Sequence, residues 1–237
     1  MRPRNATWRA PVLGALLCSA ILPLLAQDQP KPKFKAPEPT VPQVFTLMGQ
    51  YVRVAYNNEG FVTLGYRTAN ASVGTEWMLL DVGLTVREGS KPVVLKRDAF
   101  SLQTPDGKTL PLATQTEYST ADLRGVQTMA SASHDVITYF PGDVVQRCAV
   151  SFFTDPERKN ISHDQVELNS MTGCLGRIYF HVPGGIKTGQ HWLKVKFSKG
   201  EVQVPFRILT KEEEKEFRKT WEDLKEEHDE SQKANQN

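Results

Sequence analysis

Glu76–Val86, "EWMLLDVGLTV", is the stretch on which the fold turns. Met78, Leu80, Val82, Leu84 and Val86 alternate with Trp77, Leu79, Asp81, Gly83 and Thr85, and a period of two is that of a strand. Both alternating sets carry apolar residues, which places a long strand near the centre of a sheet.

The same pattern extends in both directions. Upstream, "YVRVAY" and "FVTLGY" flank Asn57-Asn58-Glu59-Gly60 and read as a hairpin. Downstream, "AFSLQTPDGKTLPL" places Pro105-Asp106-Gly107 between Phe100/Leu102 and Leu110/Leu112, where proline presets φ and glycine supplies a left-handed corner. "VITYF", "VQRCAVSFF", "CLGRIYFHV", "HWLKVKF" and "EVQVPFRI" carry strand character further, and Ser198-Lys199-Gly200 forms the last hairpin turn. Pro205 cannot donate to a ladder, so the final strand is expected at a sheet edge. "STADLRGVQTMASAS" reads as a short helix capped by Ser119 or Thr120, weakened by Gly125.

The two ends differ in kind. Arg2, Arg4 and Arg9 precede an apolar run from Val12 to Leu25, and Ala26 is followed by a polar switch, so residues 1–26 read as a secretory signal. Cys18 follows Leu16 and Leu17 rather than small residues, which argues against lipidation. Residues 27–42 hold prolines at 30, 32, 37, 39 and 42 and read as an extended linker. From Thr210 to Asn237 the chain is a strong helix former, opened by Thr210 with Glu213 three residues on. Phe217, Trp221 and Leu224 make a narrow apolar stripe on this charged tail, which needs another surface to cover it.

The formal charge of +2 includes the three signal arginines, so net charge does not invite nucleic acid. Cys148 and Cys174 remain in the mature chain, and in an exported compartment a disulfide is the simplest reading. Such a bridge stabilises by about 3 kcal/mol in the loop-entropy account. Two buried free thiols are the alternative.

"WMLLDVGLTV", "AFSLQTPDGKTLPL" and "GRIYFHVP" followed by two closing strands resemble the telokin-like, immunoglobulin-type domain of secreted bacterial proteins of unknown function. The resemblance spans about Val44 to Leu209, with residues 118–173 departing as an insertion. It implies ligand or protein binding outside the cytoplasm and carries over no catalytic residues.

Several chemical readings meet physical objections. Gly184 and Gly189 have part of a phosphate-loop spacing, but Gln190 and His191 follow where Lys and Ser or Thr are needed, and a strand follows where a helix is needed. His181 and His191 flank the same loop, yet strand phase points them opposite ways, which separates them as metal ligands. Ser133-His134-Asp135 and Ser162-His163-Asp164 cannot be in-line triads, because neighbouring side chains diverge. Asn70 and Asn160 begin glycosylation triplets, relevant only to a eukaryotic secretory route.

The remaining constellation is the face opposite Leu193, Val195 and Phe197. Arg177, Tyr179, His181, Trp192, Lys194 and Lys196, with Gln203 and Arg207, are expected there as a basic, aromatic surface. Three readings stand for it: a solvated face, a seat for the acidic tail, and a partner-binding face.

The sequence thus predicts an all-β protein, an antiparallel immunoglobulin-like β-sandwich over residues 43–209 with a C-terminal α-helix over 210–237. The expected function is that of an exported, periplasmic or secreted, non-catalytic binding or structural module of the cell envelope. It engages a protein or surface component, without cofactor, metal or nucleic acid and with no transmembrane segment in the mature chain. A homodimer through the tail helix is one expected assembly. The alternative is a metal-dependent or serine hydrolase using His134, His163 and nearby acids.

Overall fold

The computed structural model describes residues 44–133, 135–142, 144–154 and 161–234, with side chains described for those between 46 and 222. The signal segment, the proline-rich linker, His134, Asn160 and the Leu224 side chain lie outside the described residues.

The described strands form three sheets. The largest has six strands, in the order β1 (Val44–Gly49), β2 (Val52–Tyr56), β3 (Gly60–Gly65), β4 (Trp77–Val86), β10 (Thr172–His181) and β8 (Gln146–Val150). The second has four, in the order β12 (Glu201–Ile208), β11 (Gly189–Lys196), β6 (Phe100–Gln103) and β7 (Thr109–Pro111). A small ribbon pairs β5 (Val93–Lys96) with β9 (Gln165–Leu168). Four helices are described: α1 (Arg67–Ala71), α2 (Gln115–Thr120), α3 (Arg124–Ala132) and α4 (Lys211–Ala234).

The two large sheets pack as a β-sandwich. Leu64, Leu80, Val82 and Phe180 share one fully buried cluster with Leu102, Leu193, Val204 and Phe206. The sheets come close enough that a Cβ on Gly60 would stand 2.3 Å from the Phe197 ring, so this position in β3 has no room for a side chain. β4 lies between β3 and β10, as its two apolar faces predict, and β12 with Pro205 is an edge strand. Gly107, at φ 81°, turns the β6–β7 hairpin, and Tyr56 pairs with Phe61 across the β2–β3 hairpin.

Four expectations are corrected. The helix expected to be capped by Ser119 or Thr120 is two helices, and the first is capped by Thr114, whose hydroxyl accepts from the Glu117 N–H while the Glu117 carboxylate accepts from the Thr114 N–H. β8 runs parallel to β10, because the chain between them passes through β9 and returns to the same end. The Val182–Thr188 connection is not a hairpin: β10 and β11 belong to different sheets. It folds onto the end of the sandwich, with the Val182 and Ile186 N–H groups donating to Glu76 and Thr75 carbonyls. Gly185, at φ 87°, lies so near the Gly74 carbonyl that a Cβ would sit 2.6 Å from its oxygen.

The fourth correction concerns "VITYF", Val136–Phe140. It is in no sheet, and it lies across the outer face of the six-stranded sheet as a strap. Glycines from three strands make room for it. Gly65 faces Ile137 Cγ2, Gly83 faces the Ile137 carbonyl and the Phe140 ring, and Gly173 faces the other edge of that ring. The Thr63 hydroxyl donates to the Tyr139 carbonyl at 3.0 Å, and Arg67 holds Asp135 at 2.8 Å.

Cys148 and Cys174 stand opposite each other in the β8–β10 register and form a disulfide, with Cα atoms 4.3 Å apart. The bridge fixes an edge strand to the sheet interior. α4 opens with Thr210 as its cap, paired reciprocally with Glu213. Arg207 holds Glu213 at 2.6 Å, the Tyr51 hydroxyl donates to Glu214 at 3.1 Å, and the Phe217 ring packs edge-on to Tyr51 at 6.2 Å. No described helix is long and apolar enough to cross a membrane.

Gly83→Val is expected to lose about 1–3 kcal/mol in urea unfolding, through displacement of the strap rather than of the strand, which β-branched residues favour. An equal or higher unfolding midpoint would remove the strap from the packing account. Phe217→Ala is expected to cost about 1–2 kcal/mol with an unchanged hydrodynamic size. A change of size without loss of stability would instead assign the tail stripe to a second copy of the chain.

Candidate functional site

The antiparallel β4–β10 register sets Arg177 opposite Asp81 and Tyr179 opposite Leu79 on the outer face of the six-stranded sheet. The Arg177 Nε–H points to Asp81 Oδ1 at 3.3 Å, and Nη2–H donates to the Ala130 carbonyl at 3.2 Å. One guanidinium therefore joins strand floor to helix roof.

Tyr179 is nearly fully buried because α2 and the segment after β8 cover it. Its ring centroid lies 4.9 Å from that of Tyr118 and 5.1 Å from that of Phe153, and the Tyr118 and Phe153 rings are themselves 4.9 Å apart. Gln127 Nε2–H donates to the Tyr118 hydroxyl at 3.2 Å. Burial first, then the neighbouring Tyr118, push the Tyr179 phenol well above its ordinary range, so it is a neutral donor at any physiological pH.

Strap, helices and β8 do not close over this face. They leave a recess of about 410 Å³, with Asp81, Arg177 and Tyr179 on the strand side, Tyr118, Gln127 and Ser131 from the helices, and Ser151 and Phe153 from the segment after β8. Ile137, Val150 and Leu175 supply apolar wall. Its volume lies within the range of small-molecule sites.

The expected basic face is divided between two sheets. Arg177 and Tyr179 are in the recess. His181 stacks on Trp77 at 5.2 Å and lies 3.9 Å from Glu76. Trp192, Lys194 and Lys196 belong to β11 in the other sheet and alternate outward from Leu193 and Val195, so their phase follows the sequence while their grouping does not. Arg207 of β12 is paired with Glu213 of the tail. Phe217 and Trp221 are half-buried.

Asp81, Tyr118, Gln127, Ser131 and Ser151 were not singled out by sequence. Asp81 carried a signal, being the sole acid within the apolar run Trp77–Val86. Of the hydrolase candidates, His163 and Asp164 are exposed, with Asp164 3.6 Å from Arg97, and Asp135 is paired with Arg67. Among the described residues, no three His, Cys, Asp or Glu side chains gather as a metal site. Asn70 is buried, and its Oδ1 accepts from the Leu209 N–H at 2.8 Å, so this triplet joins α1 to the end of β12.

His191 lies opposite in phase to His181, as expected, and is fully buried against Phe206 at 5.3 Å. Its Nδ1–H donates to the Gly189 carbonyl, which can only accept, and Nε2 has no partner among the described groups. It borders a smaller hollow of about 170 Å³ between the β6–β7 turn and the sheet-crossing loop.

The chain matches no protein-family model, no curated protein and no solved structure.

Burial lowers the His191 pKa to about 4 from 6.5. The unfolded chain therefore binds a proton that the folded chain refuses, and stability is complete above pH 6.5 and declines as pH falls to about 4. The decline from this one group is on the order of 3 kcal/mol. His191→Gln is expected to flatten that acid limb in denaturant titrations at successive pH values; an identical limb in the variant would assign it to other groups.

Proposed function

We propose that this chain is an exported, non-catalytic binding module of the cell envelope, built on an immunoglobulin-like, telokin-type sandwich. Support for export comes from the basic and apolar start of the sequence together with the Cys148–Cys174 disulfide, which persists in oxidising compartments. Support for the fold reading comes from two facing sheets and a connection that crosses between them after β10.

The observation that carries binding is the recess. A cover serving only to bury Leu79, Gly83 and Tyr179 would close flush, as the strap does over its three glycines. Around Arg177 it stands open, with Tyr118, Gln127, Ser131 and Ser151 lining it beside one ion pair. A few convergent polar groups on an otherwise apolar wall are the make-up of a recognition site. A nucleophile activated by a neighbouring base is not among the described lining residues, which favours binding over turnover.

The test is photo-crosslinking in cells that export the full chain, with the crosslinker at Ser131 on the recess rim or at Lys196 on the opposite sheet. The expected result is an adduct from Ser131 that is lost in an Arg177→Leu background, on a chain whose mass begins near Gln27. Adducts equal at both positions, or a chain retaining its first 26 residues, would overturn the reading.

A further inference from the structure

We infer that the tail helix α4 latches the strap through a relay of side chains, Glu214, Tyr51, Arg67 and Asp135, so that a tail leaving its seat frees the strap to lift from the recess. The consequence for a ligand rests on the binding reading above; the coupling itself does not.

The relay starts where the tail meets the sheet. Tyr51 is buried, its hydroxyl donates to Glu214 at 3.1 Å, and its ring packs edge-on to Phe217. Burial first, then Glu214, push its phenol well above the ordinary range, so the proton it donates stays in place. The Arg67 guanidinium lies over the same ring, 4.7 Å from its centroid. Arg67 then reaches the strap: its Nε–H donates to Asp135 Oδ1 at 2.8 Å, and Nη2 lies at the same distance from that oxygen. Tail and strap, far apart in sequence, hold opposite ends of one short chain of contacts.

The strap end is the one poised to give way. The Asp135 side chain is only 7% exposed, and among the described groups its second oxygen, Oδ2, has no partner. A buried carboxylate oxygen without a donor favours any arrangement that returns it to water. Arg67 opposes this at Oδ1. Two residues on, Ile137 fits against Gly65 and lines the recess, so where Asp135 goes decides whether that wall stands.

Arg67 is itself one-third exposed, and the ring beneath it helps to fix its position. With the tail away, Tyr51 loses both its acceptor and the Phe217 ring, and a buried hydroxyl left unpaired turns toward water. Arg67 then has no fixed face to lie on, and Asp135 has no fixed cation. Two states follow: tail seated with the strap down, and tail free with the strap raised and the Ile137 wall withdrawn.

The experiment is native-state proteolysis of the full exported chain with chymotrypsin, read by mass. The Tyr139 carbonyl is held by the Thr63 hydroxyl, so cleavage after Tyr139 requires the strap to lift, and its rate tracks the open population when reclosing is fast. Glu214→Gln combined with Phe217→Ala is expected to speed this cleavage about tenfold. Arg67→Gln is expected to do the same, and tail and Arg67 variants together no more than either, because they break one chain. The acceleration is expected to be nearly flat in low urea, as for a local opening, while cleavage after the core residue Phe206 climbs steeply.

An unchanged rate after Tyr139 in the tail variant, or rates that multiply in the combined variant, would overturn the relay. So would an acceleration as steep in urea as cleavage after Phe206, which marks global unfolding. Should Arg67→Gln fail to fold, Asp135→Asn breaks the same pair from the strap side and takes its place. The Ser131 crosslink reports binding and Tyr139 cleavage reports the coupling, so either can fail while the other stands.

Discussion

The structure depends on two neighbouring strands, β4 and β10, that must be covered on both faces. Their register runs unbroken from Cys174 opposite Leu84 to His181 opposite Trp77. On one face, Leu80, Val82, Ile178 and Phe180 meet the four-stranded sheet. On the other, Leu79 and Tyr179 present apolar surface that no second sheet reaches. Leaving a side chain of this size in water forfeits about 1.5–3 kcal/mol of burial, so the segment from α2 to β8 is drawn over it. The strap lies close because Gly65, Gly83 and Gly173 form a trough, and a side chain at any of the three would meet Ile137 or Phe140.

That cover ends at Asp81 and Arg177. Sealing an ion pair under apolar surface costs several kcal/mol in lost hydration unless further hydrogen bonds replace the water. Here Arg177 also donates to the Ala130 carbonyl, and the space beside the pair stays open. Floor and opening therefore have one origin: apolar residues recruit the insertion, and the pair among them keeps it from closing.

Much of this architecture was legible in the sequence because strands and turns are local. The alternation over Trp77–Val86, the Pro105-Asp106-Gly107 corner, the Thr210–Glu213 cap and the edge position of Pro205 all follow from neighbouring residues. What was not legible is how segments choose partners. "VITYF" has strand chemistry, yet it lies where three glycines admit it, in strands far away in sequence. Trp192 and Lys194 are in correct phase and on the wrong sheet for the surface expected, because Pro183, Gly184 and Gly185 carry the chain over the end of the sandwich. Strand phase says which way a side chain points; it does not say which sheet holds the strand. The candidate site was half visible for the same reason: Arg177 and Tyr179 follow from phase, whereas Tyr118, Gln127 and Ser151 arrive from an insertion whose route is tertiary.

The disulfide completes this division of labour. β8 is an edge strand paired on one side only, and its parallel ladder to β10 is five residues long. Parallel pairing is the weaker kind per residue, and Val150 and Ser151 at its end form part of the recess wall. The Cys148–Cys174 bridge anchors that wall to the same strand that carries Arg177 and Tyr179. Floor and wall are thus joined covalently, while the helical side is joined through Arg177 to Ala130 and through Arg67 to Asp135. For the binding proposed above, the joined side would set selectivity, since a polar group held in place rejects a mismatched ligand by remaining unpaired, whereas a yielding group accommodates it.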